Sequence, residues 1–472
     1  MEKRRTAVIS GTVYVLAVVL FPIFSFAFQA DVSVFYNSGS TLFSLYNSNS
    51  LSSQILSVDV DLKHEDESFD FFASMIARND NFFNDQFASS YYAGFYFVVD
   101  ESGFRVRNGN VTITLGKIHL SDVVQSPYSL FINSANIPRN TLNVSFESES
   151  FLYTTRWIQL SNLQSGSDIR EKLRSANYKL YGVKFGNFRF GYQDVAVYVG
   201  KEFDFEYFAN PVPSFFIQYV NDAGRPYSEG LGNANYISGF FLDYNSENLY
   251  WYAQILVDDI NANRFLHPES YQNPDKIAWS VGANFKNIFG KFGLFHAGAT
   301  KYTFQPSSES GNPLYYGYTY YPRFTYNKDS TTMVLPLEYL YAGYIYGENN
   351  LAFMITYDSS IVEGLSAEAE FVILGERSPV NPWNESSTYV SGTHLLDDTV
   401  LEYRLISRLN YLFTVSDLLK FELKGALGYI WNASALVNVD SDNVKKPLLK
   451  PQEGNNSPYF SFSIGLTFNK SF

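Results

Sequence analysis

The chain predicts a closed antiparallel transmembrane β-barrel. Aromatic residues make up 18% of its 472 residues, with 43 Phe and 37 Tyr, yet the mean hydropathy is slightly negative. Segment after segment alternates greasy with small polar residues, the two-residue period of a strand. Beyond the N-terminus no apolar run reaches the ~20 residues of a spanning helix. Aromatic surface spread over alternating segments suits strands that face lipid on one side and water on the other.

In chain order, the first element is an export signal. Lys3, Arg4 and Arg5 precede an apolar stretch from Ala7 to Phe28 that ends in Ser25-Phe26-Ala27. Small residues at the −3 and −1 positions of a cleavage site make residues 1–27 a secretory signal peptide. An uncleaved anchor is the alternative, since the stretch is long enough to span. Residues 28–472 form the barrel. Within 31–110, "DVSVFY" and "YYAGFYFVV" read as strands. "DESFDFFASMIARND" between them reads as a short amphipathic helix opened by Asp66 or Ser68. "SGSDIREKLRSA" (165–176) is a second candidate, with Ser167 or Asp168 as its cap.

The hairpin "YGVKFGNFRFGY" (181–192) turns at Gly186-Asn187. Phe185 then lies beside Phe188, Val183 beside Phe190 and Tyr181 beside Tyr192. On the other face Lys184 meets Arg189. An aromatic face for lipid and a cationic face for a wet lumen explain both sides. Ile277, Trp279, Val281, Ala283 and Phe285 continue the pattern. Leu401, Tyr403, Leu405, Leu409, Tyr411 and Phe413 follow, alternating with Glu402, Arg404 and Arg408. A soluble sandwich also alternates, but its strands run ~5–6 residues, shorter than several here. In the last strand Phe460, Phe462, Ile464, Leu466, Phe468 and the terminal Phe472 share one parity. That strand, ending in Phe472, is the expected insertion signal for the barrel-assembly machinery.

Connection length sets the sidedness, because transmembrane barrels keep short turns inside and longer loops outside. The short connections are Gly186-Asn187, Asn245–Asn248, Lys286–Gly290, Ser359–Val362 and Thr414–Asp417. That leaves 201–235, 259–276, 304–349, 376–399 and 432–457 at the cell surface.

Several function classes drop out. A formal charge of −13 is unsuited to nucleic acid, which needs clustered Lys and Arg. Cysteine is absent, so disulfides and thiolate metal sites are excluded. No catalytic or nucleotide-binding motif occurs. The histidines, at 64, 119, 267, 296 and 394, are scattered, and "HEDE" (64–67) lacks the spaced ligands of a calcium loop. The expectation is a protein that is not an enzyme and carries neither cofactor nor metal.

Candidate binding residues lie in the outer segments. Asp258 and Asp259 close the strand "NLYWYAQILVDD", where paired carboxylates suit sugar hydroxyls; acidic residues flanking a strand exit are the plainer reading. In "LYYGYTYYPRFTY" (314–326), Tyr315, Tyr316, Tyr318, Tyr320 and Tyr321 occupy both parities. Tyrosine stacks on sugar faces and adds a hydroxyl, whereas an interfacial girdle needs only one parity. Trp383 lies in another outer segment. Lys184, Arg189, Arg404 and Arg408 are the lumen-facing charges.

Residues 113–260 resemble the capsule-assembly (Wzi-type) family. The carriers are "ITLGKIHLSDVVQSPYSLFINSANIPRNTLNVSF", with its S-L-x-x-S-x-N-x-P element at Ser129–Pro138, the hairpin running on to Asn210-Pro211, and the strand closing in Val257-Asp258-Asp259. Where the family often has Glu in the hairpin's second strand, this chain has Gln193-Asp194. The resemblance implies an outer-membrane barrel of about eighteen strands. Sixteen to twenty would also suit a chain with about 25 residues per strand and connection. It further implies a lectin-like role: binding and organising exported capsular or other surface polysaccharide. Two alternatives stay open on the residues alone, a porin-like channel for small solutes and a structural or adhesin barrel.

Overall fold

In the computed structural model, residues 29–39, 54–79, 95–135, 137–162, 173–222, 234–259, 274–305, 316–320, 325–328, 331–334, 340–377, 392–441 and 444–471 are described. The signal peptide expected at 1–27 lies outside them. The strands are β1 (Gln29–Gly39), β2 (Gln54–Glu65), β3 (Phe69–Arg78), β4 (Tyr96–Asn108), β5 (Val111–His119), β6 (Pro138–Glu147), β7 (Phe151–Asn162), β8 (Leu173–Phe185), β9 (Phe188–Val199), β10 (Ala234–Asn245), β11 (Leu249–Asp259), β12 (Lys276–Asn287), β13 (Gly290–Ala299), β14 (Thr325–Lys328), β15 (Thr331–Val334), β16 (Asn350–Ser359), β17 (Leu365–Leu374), β18 (Glu402–Ser416), β19 (Leu419–Trp431), β20 (Ser434–Ser441), β21 (Val444–Pro451) and β22 (Ser457–Ser471). Eighteen of them form one antiparallel sheet; β14–β15 and β20–β21 are separate hairpins within connections.

The sheet closes where β1 pairs with β22, from Gln29↔Ser471 to Gly39↔Ser461. The Ser33 and Thr467 hydroxyls meet at 2.9 Å across this seam. Closure leaves no row of unpaired backbone N–H and C=O groups, which lipid could not solvate. Short turns, such as 109–110, 186–187 and 417–418, gather at one end, and the long connections at the other. In transmembrane barrels generally, the long connections lie at the cell surface.

Alternation decides which side chain meets which solvent. Phe97, Phe185, Ile355 and Leu427 are exposed on the lipid face. The hairpin register is Tyr181↔Tyr192, Val183↔Phe190 and Phe185↔Phe188, with Lys184↔Arg189 on the lumen side. Gly186 takes the left-handed conformation of the two-residue turn (φ 57). The facing cations do not repel each other: Lys184 pairs with Glu147 of β6, and Arg189 with Asp243 of β10, at 2.9 Å from Nε.

The helix expected over "DESFDFFASMIARND" is strand β3 instead. Asp70 faces inward and takes Arg105 and Arg107 of β4, at 3.1 and 2.9 Å. Phe69 and Met75, on the opposite parity, meet lipid. Cross-strand pairing overrides the helical spacing of the apolar residues. The register steps from Ala73↔Ser102 to Met75↔Val99, so β4 carries one extra residue. That bulge moves the lipid face from Phe97 and Val99 to Phe104 and Val106. In the second helix candidate, 173–176 belong to β8 and the rest lie outside the described residues. The helices observed are α1 (Phe205–Ala209) and α2 (Ser214–Asp222), both in the connection between β9 and β10.

The closure is testable in a chain without native cysteine. Ser33→Cys with Thr467→Cys places two thiols on directly paired residues, within disulfide reach. After oxidation and boiling, the double variant should migrate on a denaturing gel as a closed loop, distinct from the linear chain. Reducing agent should abolish the difference; failure of the bond to form would contradict the β1–β22 register.

Candidate functional site

The lumen is crossed by its own connections. Residues 120–137, between β5 and β6, carry Leu120, Val124, Tyr128, Leu130, Phe131 and Ile132, all buried. A surface loop with this composition would expose a large apolar patch. Folded inward, each large side chain removed from water contributes ~1.5–3 kcal/mol.

Asp122 anchors the segment. Its Oδ2 accepts from the backbone N–H groups of Phe131 (3.0 Å) and Ile132 (3.3 Å) and from Gln254 Nε2 of β11 (3.1 Å). Its Oδ1 accepts from Val123 N (2.6 Å) and from Gln193 Nε2 of β9 (2.8 Å). Gln193 and Gln254 are themselves joined at 2.7 Å, and Gln254 Oε1 accepts from Leu130 N. Burial pushes the Asp122 carboxyl above its ordinary range, opposed by these donors. The surrounding N–H groups form a closed acceptor site for a carboxylate.

Tyr128 carries the segment across the bore. Its hydroxyl donates to Glu370 Oε1 of β17 (2.8 Å), near the opposite side of the ring from β5 and β6. Tyr346 donates to the same oxygen (2.6 Å), and Arg408 Nη1 lies 3.2 Å from Glu370 Oε2. Burial beside Glu370 raises both phenols, so they remain donors.

The connection between β13 and β16 supplies a second layer. Tyr318 donates to the carbonyl of Phe131. Asn133 binds Ala342 O through its N–H (2.8 Å) and Tyr341 O through Nδ2 (2.9 Å). A Cβ on Gly343 would lie 2.3 Å from Leu130 O, so the two layers meet backbone to backbone. Arg174 of β8 donates to Gly317 O and Thr319 O (2.8 and 3.1 Å), and the Arg139 guanidinium lies 4.0 Å from the Tyr320 ring centroid.

Above this plug lies a charged rim. Lys301 reaches Asp398 (2.7 Å), Lys450 reaches Glu376 (2.7 Å) and His394 reaches Asp397 (2.7 Å). Burial alone would depress the Lys301 ammonium, but Asp398 and Glu376 hold it above its ordinary range. The hydrogen bond from His394 holds Asp397 below the usual carboxylate range. The β20–β21 hairpin is tied to the rim by paired backbone bonds between Arg377 and Leu449 (3.0 and 2.9 Å). Among the described residues, no group of three or more His, Asp or Glu side chains is placed to hold a metal.

The expected site residues fall in different places. Tyr316, Tyr318 and Tyr320 are buried, with Tyr318 and Tyr320 built into the plug, not displayed on an outer face. Tyr315, Tyr321, Trp383 and Phe472 lie outside the described residues. The Asp258 side chain is 2% exposed, accepts from Phe304 N (2.8 Å) and lies 3.6 Å from Lys276 Nζ. It therefore pins the start of an outer connection, while Asp259 is half-buried. Arg404 is paired with Glu402, and Arg408 with Glu368 and Glu370. Sequence reading missed Asp122, Gln193, Gln254 and Glu370 as a set. The available signal was "YSLFI" (128–132), too apolar for a loop in water.

These features describe an outer-membrane barrel, closed on itself, whose lumen is crossed by its own connections. No family model and no curated protein matches the chain. Among solved structures, it is similar to Wzi, an outer membrane protein involved in group 1 capsule assembly in Escherichia coli, described as a carbohydrate-binding β-barrel. Identity is 10%, over 93% of this chain and 84% of that one, with a TM-score of 0.51. It also matches OccAB4 of Acinetobacter baumannii (10% identity, 94% and 98% covered, TM-score 0.46) and OccK11 of Pseudomonas aeruginosa (9%, 94% and 96%, 0.44). The first likeness is one of fold, and the other two are too loose to support any inference.

Asp122→Ala would strand several buried donors at about 1–3 kcal/mol each. The expected result is a barrel that keeps its heat-modifiable gel mobility but gains protease cleavage within 120–137 and larger bilayer conductance steps than wild type. Unchanged protection and conductance would remove Asp122 as the anchor.

Proposed function

We propose that this barrel binds and organises an exported surface polysaccharide, capsular or other, at its cell-surface end without transforming it. The observation that carries this reading is the plug. Tyr128, Asp122, Tyr318 and Tyr346 hold the bore crossed by side chains from opposite walls. Of the lumen charges, Arg189 is neutralised by Asp243 and Arg408 by Glu368 and Glu370. A solute channel would instead set selectivity with charges lining an open path. The carbohydrate-binding barrel of similar fold adds support by analogy alone.

The proposed contact surface is the rim: Lys450 and Asp397, both about half exposed, with Asp259 and the outer aromatics Tyr315, Tyr321 and Trp383. Each sugar contact would be weak, and a long chain would be held by many together.

Polysaccharide pull-down with the refolded barrel tests the reading. Wild type should retain a defined class of long acidic or neutral glycan. Lys450→Ala with Asp397→Ala should lower retention several-fold and leave the folded gel mobility unchanged. A folded wild-type barrel that retains no glycan and conducts in bilayers would replace this reading with a channel.

A further inference from the structure

Residues 200–222, the described part of the connection between β9 and β10, lie against the outside of the barrel, not over its mouth. Thr155 of β7, Asn177 and Lys179 of β8, and Asp194 of β9 have lipid-side parity: they alternate with Arg156, Tyr178, Leu180 and Gln193, which face the lumen. Yet Asn177, Lys179 and Asp194 are fully buried. What buries them is the two-helix arm. Thr155 Oγ1 donates to Phe208 O (2.8 Å), and Lys179 Nζ donates to Asn210 O and Val212 O (both 2.7 Å). Asp194 accepts from Ser214 N (2.9 Å) and Ser214 Oγ (2.7 Å), fixing the start of α2.

This polar seam sits at membrane depth. Phe188, Tyr244 and Trp251 form an aromatic girdle at the turn end, with ring centroids 4.8–6.4 Å apart. Asp194 is six residues further along β9, about 15 Å up the wall at ~3.3 Å per residue and a tilt near 40°. The apolar band of such barrels is about 25 Å tall.

The arm is inside out. Ser214 and Ile217 of α2 are buried against the wall, with Gln218 bonded to Ala234 O (3.2 Å). Phe215, Phe216, Tyr219 and Val220, on the opposite side, are 41–57% exposed; in α1, Phe205 is 73% exposed and the neighbouring Glu206 is exposed too. A helix bathed in water turns its polar side outward. This one turns its polar side to the wall. Its apolar side is continuous with the lipid belt through Phe215, which lies 5.9 Å from Tyr236, and Tyr236, bonded to Tyr192 at 2.6 Å.

The geometry points to an arm embedded in the outer leaflet, where α1 and α2 seal the Lys179–Asp194 seam from lipid and α2 binds acyl chains with its outer face. The occupant is the hydrocarbon of the membrane, and the arm widens the barrel's lipid contact on one side only.

The absence of cysteine allows a direct test. Phe216→Cys and Tyr219→Cys are labelled with an environment-sensitive fluorophore and placed in phosphatidylcholine vesicles containing doxyl-labelled acyl chains. Lys450→Cys on the rim is the aqueous control, and Phe205→Cys is a second reporter should a variant on α2 misfold. Folding is checked by heat-modifiable mobility. The doxyl chains should dim the arm labels at least twofold while iodide leaves them unchanged, with the reverse at 450. Iodide quenching at 205, 216 and 219 would overturn the proposal by placing the arm in water. Protection from both quenchers, with disulfide cross-linking between two unlabelled Phe216→Cys chains, would overturn it in favour of a second copy of this chain.

Discussion

Lipid cannot hydrogen-bond a peptide group, and the whole molecule follows from that. Every N–H and C=O within the membrane must find a partner in the protein, so the sheet has to close. Closure of β1 on β22 then fixes inside and outside for each strand. One consequence is economy of composition: half of each strand can be Phe, Tyr, Leu or Val while the other half stays small or charged. The mean hydropathy falls below zero although one face is largely apolar.

Closure also creates a bore that must be filled or left wet. Here it is crossed by connections whose apolar residues would be insoluble at the surface. Their backbone polar groups need partners as well, and the lumen walls supply them through Gln254 and Arg174, while Gln193 and Glu370 take the polar side chains of Asp122 and Tyr128. The plug is thus a core built inside a barrel, with tyrosine as its main component because a ring fills space while its hydroxyl finds an acceptor. The same logic acts outside the wall. Where strands β7–β9 carry polar side chains at membrane depth, helices α1 and α2 cover them.

The fold was legible in the sequence to an unusual degree. The hairpin 181–192 and the last strand show their parity without help, because lipid and water impose opposite demands on neighbouring residues. The reading failed where that rule is locally suspended. In β4 one extra residue shifts the lipid face, and β3, beside it, carries a pattern that also suits a helix. Asp194 and Lys179 sit on the lipid parity yet are polar, and only the arm from residues 203–222 explains them.

Alternation is a local property, so where it runs unbroken the residues alone were enough to assign the solvent that a strand face meets. They also placed the long and short connections at opposite ends. Where those connections go emerged from packing in three dimensions. Tyr318 and Tyr320 belong to an outer segment by sequence and to the lumen in space. Asp258 belongs to a carboxylate pair by sequence and to a backbone anchor in space. A connection's destination depends on partners far along the chain, such as Glu370 for Tyr128, and no local period records them.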